Sequence, residues 1–362
     1  MRVAAVRIAK ISLRKDDPTW RFALGGTPAS DGFLVSVETE DGVQGFGSCA
    51  AATYYGVPRG GLADALELFG SALVGLDAAD IAGAHAAMDR ALKGHERAKA
   101  SVDMALHDVV GKSLGVPVST LLGGRTRELA PAIRILALKA PDAVAAGAAA
   151  HVAAGYRYLK IKLEGAVEVD VARVHAVRER VGPDVVLTAD ANQSYRPKDA
   201  IRALRRMEAD GLTLIEQPVA ASDLRGMRAV REAVSVLVEA DEAANTLDEI
   251  ARLLDAQAVD AINLKVTHVG GLRRAQAAVA LCDSAGVRCR LGGGTVGSQL
   301  LAAATLHLYA ATPSLGDPSE VAEWARLAAD PAAGLLVDAG SVAVPATPGL
   351  GLDVTWPAED GG

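Results

Sequence analysis

Aromatic residues make up only 4% of the 362-residue chain, and there are just three cysteines, Cys49, Cys282 and Cys289. The cysteines fall at none of the spacings used for metal binding or dithiol chemistry, which excludes a disulfide scaffold and fits a reducing cytoplasm. Basic charge is short as well. A net charge of -7 argues against nucleic acid or an anionic membrane as a partner. Long apolar runs are missing: Met1 to Asp17 alternates charged and apolar residues, and the alanine-rich stretch Ala143 to Ala154 is short and interrupted by His151. Neither a signal peptide nor a membrane span is therefore expected. A dinucleotide-binding G-x-G-x-x-G turn is lacking too, since Gly292-Gly293-Gly294 has neither its spacing nor its place.

What is present is a half-apolar sequence rich in alanine, suited to a large core under closely packed helices. Its length fits one α/β barrel plus a smaller domain. Val3 to Leu13, Phe33 to Glu38 and Val43 to Phe46 alternate apolar and polar side chains, with Glu40-Asp41-Gly42 as a turn. That pattern predicts an antiparallel meander. Two loops, at residues 16–30 and 51–61, hold Trp20, Phe22, Tyr54 and Tyr55, an outsized share of the few aromatics, and are expected to act as lids. Helical periodicity runs from Leu62 to Gly115. Residues 1–124 thus read as an α+β capping domain.

From 125 to 334 the pattern becomes a regular alternation. Apolar runs at Ala132 to Ala137, Tyr158 to Leu163, Val185 to Ala189, Leu212 to Ile215, Ser235 to Val238, Ala261 to Leu264 and Val287 to Leu291 are separated by amphipathic segments, with a weaker eighth run near Pro313 to Gly316. This predicts an α/β fold, a TIM-type (β/α) barrel. An open doubly wound sheet is the competing arrangement, and its phosphate loop is missing. Residues 335–362 form a C-terminal segment expected to return to the capping domain.

The stretch Tyr158 to Leu163 sets Lys160 and Lys162 on one face of a buried strand, with Leu159, Ile161 and Leu163 on the other. Like charges and burial both disfavour an ammonium, so the pair is expected to supply a neutral lysine base. Asp190 with Asn192, Glu216 in Ile-Glu-Gln-Pro, Asp241 with Glu242, and Lys265 in Asn-Leu-Lys follow Lys162 at steps of 28, 26, 25 and 24 residues. Each step is one strand and one helix, so all of them reach the mouth at the carboxyl ends of the strands. One such acid fits a helix cap; three in register, flanked by lysines, read as a site. Three carboxylates without histidine or cysteine suit Mg²⁺, with Mn²⁺ as an alternative, rather than zinc. Removing a proton alpha to a carboxylate creates an enediolate, which calls for a divalent cation and an adjacent base. Lys162 and Lys265, from opposite sides, would take the proton from one face and return it on the other. Glu242 is expected to partner a lysine rather than bind metal, and His268 to be structural.

Lys-Ile-Lys, Asp-Ala-Asn, Ile-Glu-Gln-Pro, Ala-Asp-Glu and Asn-Leu-Lys, in this order and spacing, resemble the enolase superfamily and its muconate-lactonising-enzyme subgroup. The likeness extends to the helix ending Leu-Gly-Val-Pro-Val-Ser-Thr-Leu-Leu-Gly-Gly. Pairing a Lys or His base with Mg²⁺ is a general property of such sites. The resemblance implies a modified (β/α)7β barrel, Mg²⁺ on Asp190, Glu216 and Asp241, and acid/base catalysis by Lys162 and Lys265 with Lys160 tuning Lys162. The histidine that the mandelate-racemase subgroup needs after strand seven is missing.

Asp-Pro-Thr-Trp-Arg-Phe in the first loop and Gly94 to Lys99 are similar to proline-betaine epimerases and cis-3-hydroxyproline dehydratases. Trp20, Tyr55 and Trp324 would then offer ring faces to a cationic ammonium. The acid such enzymes carry after strand seven, like the muconate enzymes' glutamate, is replaced by Leu-Gly-Gly-Gly-Thr-Val-Gly-Ser. That leaves Thr295 in the expected pocket and Glu320 or Glu323 as substitutes. The first functional reading is racemisation or epimerisation of an amino-acid-derived carboxylate: a proline betaine, an N-acyl amino acid or a dipeptide. The second is a dehydratase or cycloisomerase, and the third a carboxylate-binding barrel without catalysis, which should lack a ligand or base. The expected partners are a small-molecule carboxylate and further copies of the chain.

Overall fold

The structure is a computed structural model that describes residues 1–26, 28–293 and 297–357. The N-terminal alternation forms three antiparallel strands, β1 (Val3–Arg14), β2 (Ala29–Thr39) and β3 (Gln44–Ala50), in that spatial order. β2 starts earlier than its apolar pattern suggests because Ala29 to Gly32 continue the pairing with Ile11 to Arg14. Helices α1 (Arg59–Leu73), α2 (Ile81–Ala91) and α3 (Glu96–Leu114) cover this sheet. Phe33, Val35 and Val37 meet Leu66, Phe69 and Leu106 in a core of their own. α3 lies directly on β3 because Gly45 and Gly47 leave room for it. A Cβ on Gly47 would overlap the carbonyl oxygen of Ser101, and one on Gly45 that of Ala105.

After α4 (Val118–Leu121) and the short β4 (Leu129–Pro131) comes the repeating unit. Strands β5 (Ile133–Leu136), β6 (Tyr158–Lys162), β7 (Val186–Asp190), β8 (Leu212–Glu216), β9 (Leu237–Ala240), β10 (Ala261–Leu264) and β11 (Arg288–Leu291) form one parallel sheet in sequence order. Between and after them run α5 (Pro141–Ala153), α6 (Val167–Val181), α7 (Pro197–Met207), α8 (Leu224–Ala233), α9 (Leu247–Asp255), α10 (Val266–Val269), α11 (Leu272–Ser284) and α12 (Gln299–Ala311). Leu159, Ile161, Leu187, Ile215 and Ile262 point outward from the strands and are fully buried under the helices. Each such side chain contributes roughly 1.5–3 kcal/mol by leaving water. A slip of one residue would exchange them with the charged inner set, so this burial fixes the register.

The ring closes through residues 316–320. Gly316 and Glu320 donate to the carbonyls of Cys289 and Leu291, both at 2.9 Å, while Ile133 donates to Ser319 at 3.1 Å and Ser319 to Pro131 at 3.0 Å. The eighth strand position therefore lies a few residues beyond Pro313 to Gly316. Its polar sequence, Asp317-Pro318-Ser319-Glu320, conceals it from an apolar search.

The C-terminal segment adds β12 (Ala332–Ala333), β13 (Val337–Asp338), β14 (Ser341–Ala343) and β15 (Asp353–Val354). β14 pairs with β13 and β4, and β12 with β15. Beyond β14, the Leu350 amide donates to Asp108 of α3 at 2.7 Å, and the Trp356 ring meets Phe46 at 6.2 Å. Among the described residues no helix is long and apolar enough to cross a membrane.

Candidate active site

Strand register assembles the charged groups. Lys162 pairs in register with Asp190, and Asp190 with Glu216, across β6, β7 and β8. Glu216 is level with Glu239 on β9, so Asp241, two residues on, points the same way and nearer the mouth. Lys265 follows β10. The sheet order thus gives lysine, aspartate, glutamate, aspartate, lysine on five consecutive strands, with Lys160 one layer below Lys162. All six line one cavity and are buried.

Each lysine is held by acids. Lys160 donates to Glu216 at 2.7 Å and to Glu320; Lys162 donates to Asp190 and, at 3.0 Å, to Asn192 Oδ1; Lys265 donates to Asp241. Burial alone would favour neutral Lys160 and Lys265. The carboxylates outweigh it, Glu216, Glu320 and Asp190 around the first and Asp241, Glu216 and Glu320 around the second, and raise both above the ordinary lysine value. Lys160 is therefore an ammonium and not the neutral base.

The acids complement this picture. Glu216 is kept well below the usual carboxylate range, because Lys160, Lys265 and Arg290 overcome its burial. Asp190 and Asp241 are raised by burial first, with neighbouring acids adding to it. Burial, Asp241 and Asp190 push Glu242 up to about 8. Glu242 accepts from Asn192 Nδ2 at 3.0 Å, so its partner is the asparagine and not a lysine.

Several supporting residues escaped the sequence reading. Arg290 on β11 donates Nε to Glu239 at 2.6 Å and Nη2 to Glu216 at 3.3 Å. Glu239 stands two residues before Asp241, the same spacing as Lys160 and Lys162, and that repeat was the available signal. Gln217 accepts from the backbone of Asp241 at 3.0 Å and Ala243 at 3.1 Å. It bolts the end of β8 to the end of β9, with its own φ at 39°, a left-handed conformation that costs energy in a non-glycine residue.

The two aromatic loops roof the site. Rings run in contact from Trp20 to Phe22, Tyr54, Tyr55 and finally His268, at centroid distances of 5.8, 5.4, 4.7 and 4.6 Å. The ring faces already carry cations of the chain itself: Lys15 and Arg326 on Trp20, Lys162 on Phe22 and Arg97 on Tyr55. Trp324 is not among the cavity-lining residues; its indole donates to Val321 at 2.9 Å. Glu320 is held by Lys160, Asn263 and the Gly293 amide. Glu323 lines the cavity and pairs with Arg326 at 2.9 Å. His268 packs beside Asp241 rather than away from the site, and burial, Arg97 and Lys265 hold it well below the usual histidine value. Thr295 lies outside the described residues.

Among the described residues no three His, Cys, Asp or Glu side chains stand in ready-made metal-ligating geometry, since each carboxylate is turned on to a lysine. The donor set nevertheless fits a hard divalent cation. Glu216 Oε1 and Asp241 Oδ1 are buried without hydrogen-bond partners, and Asp190, Asp241 and Glu242 are all raised, by burial first and by neighbouring acids in addition. Orphaned oxygens in an over-acidic cavity are what such an ion satisfies.

Residues 8–123 match the family model for the mandelate racemase / muconate lactonizing enzyme N-terminal domain, and residues 143–358 match that for the enolase C-terminal domain-like region. The chain belongs to the mandelate racemase/muconate lactonizing enzyme family. Within this family it is 34% identical to the hydrophobic dipeptide epimerase of Enterococcus faecalis over 86% of this chain and 87% of that protein. It is 33% identical to the L-Ala-D/L-Glu epimerase of Clostridium acetobutylicum over 88% and 90%. The crystal structure of the Enterococcus faecalis V583 dipeptide epimerase, complexed with Mg and L-Leu-L-Tyr, superposes with a TM-score of 0.93 at 31% identity, covering 97% of this chain and 99% of that one. A cis-3-hydroxy-L-proline dehydratase of Roseibium aggregatum is a further family relative, at 29% identity over 87% of this chain and 85% of its own. One family frame therefore carries more than one reaction.

Proposed function

We propose that the chain is a Mg²⁺-dependent epimerase of dipeptides or N-acyl amino acids that exchanges the proton alpha to their carboxylate. The observation that carries this reading is the order lysine, aspartate, glutamate, aspartate, lysine across five adjacent strands, which brackets the acids with a potential base on either side. Asp190, Glu216 and Asp241 would hold Mg²⁺, which supplies positive charge for the substrate carboxylate and for the charge that develops on proton removal. Lys162 and Lys265 flank the alpha carbon: one accepts its proton as a neutral amine while the other, as an ammonium, donates to the opposite face. Lys160, gripped by Glu216 and Glu320, stays charged and acts electrostatically on Lys162.

The substrate class follows from space and charge. Room among the charged groups is small, about 20 Å³, but Phe22 and Tyr54 also line an adjoining cavity of about 490 Å³ that offers Ile11, Leu13, Leu24 and Leu301 beside Lys15, Asp31, Arg59 and Arg97. A carboxylate end seated among the lysines would leave an apolar body to fill the larger space. Glu323 lines the site with Oε1 buried, 4.0 Å from Arg134 Nη1 and without a hydrogen-bond partner, so a substrate N–H there would share that oxygen with the arginine. A quaternary ammonium is less well served, because the aromatic faces it would need already hold arginine and lysine. The dipeptide epimerases among the relatives support the same choice.

The test is incubation of an apolar L,L-dipeptide and an N-succinyl amino acid with the protein and Mg²⁺ in D₂O. The proposal expects alpha-deuterium with inversion at one centre. No deuterated epimer from either, with loss of water from cis-3-hydroxyproline or ring closure of a muconate in parallel incubations, would replace it with the lyase or cycloisomerase reading.

A further inference from the structure

A chain of contacts reaches Asp241 from outside the barrel ring. Arg97, in the first turn of cap helix α3, places Nη2 2.8 Å from Nε2 of His268 on α10. A guanidinium has donors only, so His268 Nε2 is the acceptor. An imidazole whose Nε2 accepts carries its proton on Nδ1. That Nδ1 lies 3.9 Å from Asp241 Oδ1. Both atoms are buried and, among the described residues, neither has a hydrogen-bond partner. A donor lacking an acceptor thus faces an acceptor lacking a donor. The other carboxylate oxygen, Oδ2, is taken by Lys265 and by the Tyr55 hydroxyl at 3.4 Å. Tyr55 also stacks edge-on against His268 at 4.6 Å and lies under the Arg97 guanidinium at 4.8 Å, which keeps the imidazole from swinging away.

We infer that Arg97 and His268 are positioning residues for Asp241. The arginine of the cap fixes the imidazole tautomer, and the imidazole N–H, closing by about 1 Å to hydrogen-bond length, orients the carboxylate for metal ligation. The inference rests on the assignment of Mg²⁺ to Asp190, Glu216 and Asp241. Metal ligands are held in ligating orientation by hydrogen bonds to their outer atoms, and loss of such a partner lowers metal affinity roughly 10–100-fold. Arg97 belongs to the cap and all three ligands to the barrel, so the cap becomes part of the metal site.

The experiment is calorimetric titration of the full chain with Mg²⁺, together with ¹⁵N NMR of the histidine rings. His268→Gln keeps an oxygen for Arg97 but loses the N–H at Nδ1, whereas His268→Asn keeps an amide N–H near the Nδ1 position. Arg97→Ala releases the tautomer. The expected result is an Nδ1–H signature for His268 in the wild type that is lost in Arg97→Ala. Mg²⁺ affinity should fall roughly tenfold or more in His268→Gln and Arg97→Ala and be largely restored in His268→Asn. Unchanged affinity in His268→Gln, equal losses in both His268 variants, or a wild-type proton on Nε2 would overturn the pairing alone. Wild-type protein that bound no Mg²⁺ would overturn the metal assignment, and this inference with it.

Discussion

Glu216 shows how tightly single residues are committed here: it is fully buried and takes Lys160 at 2.7 Å and Arg290 at 3.3 Å. Glu216→Ala would take one carboxylate from two buried cations while leaving Lys160 on Glu320 and Arg290 on Glu239, so a loss of about 1–3 kcal/mol is expected, read as a lower urea midpoint. Glu320 makes a pH-dependent contribution. Burial raises its pKa, but Lys160 leads the cations that lower it overall, from 4.5 to about 2. A depressed carboxylate stabilises the fold fully above its unfolded value and progressively less as pH falls. Stability should therefore decline from about pH 4.5 toward pH 2, and Glu320→Gln should flatten that slope in acid melts. The lysines and the three acids at the mouth were legible as residues because each ends a strand. Arg290, Glu239 and Gln217 were not, since they act on other side chains or on backbone that only the closed ring brings near. That Lys160 is held as an ammonium was hidden for the same reason: its acidic neighbours come from other strands.

Among the elements, α3 and the first aromatic loop do most to shape the site. The loop is tied at its base by Lys139 to Asp17 at 2.7 Å and by the Leu138 amide to the Arg21 carbonyl at 3.0 Å, while Phe22 lies over Lys162. Phe22→Ala should lower kcat/KM while leaving Mg²⁺ affinity unchanged, because the ring covers a lysine and touches no proposed ligand. Gly47→Ala is a different kind of change: the new methyl would meet the Ser101 carbonyl and force α3 off β3. Overpacking of this sort costs about 1–3 kcal/mol or more, visible as a lower Tm. Strands and helices were readable from their periods because burial under the helices enforces them. The eighth strand position was not, since backbone bonds to β11 and β5 define it in a polar sequence.

At the scale of the molecule, cap and barrel are joined by a buried polar knot. Asp103 of α3 accepts the Leu272 amide at 2.6 Å and His85 Nε2 at 2.7 Å, with His107 Nδ1 at 3.3 Å. Burial raises its pKa, yet His107 and His85 more than reverse that and hold it well below the usual carboxylate range. Asp103→Ala leaves the Leu272 amide and His85 Nε2 unmet, while His107 Nδ1 keeps the residue-103 carbonyl at 2.8 Å, and hydrogen exchange in β1 to β3 should accelerate relative to the barrel strands. The barrel as a whole was foreseeable from its repeat; the joint was not, because helix periodicity alone does not say what lies opposite Asp103. The two-base arrangement remains the centre of the account, and deuterium exchange from each epimer separately tests it most directly. With a substrate pair that the wild type interconverts, Lys162→Ala and Lys265→Ala should each abolish epimerisation, and each should still exchange the alpha proton of one epimer, a different epimer in the two variants. Full turnover in either variant, or exchange of the same epimer in both, would contradict the placement of one lysine on each face.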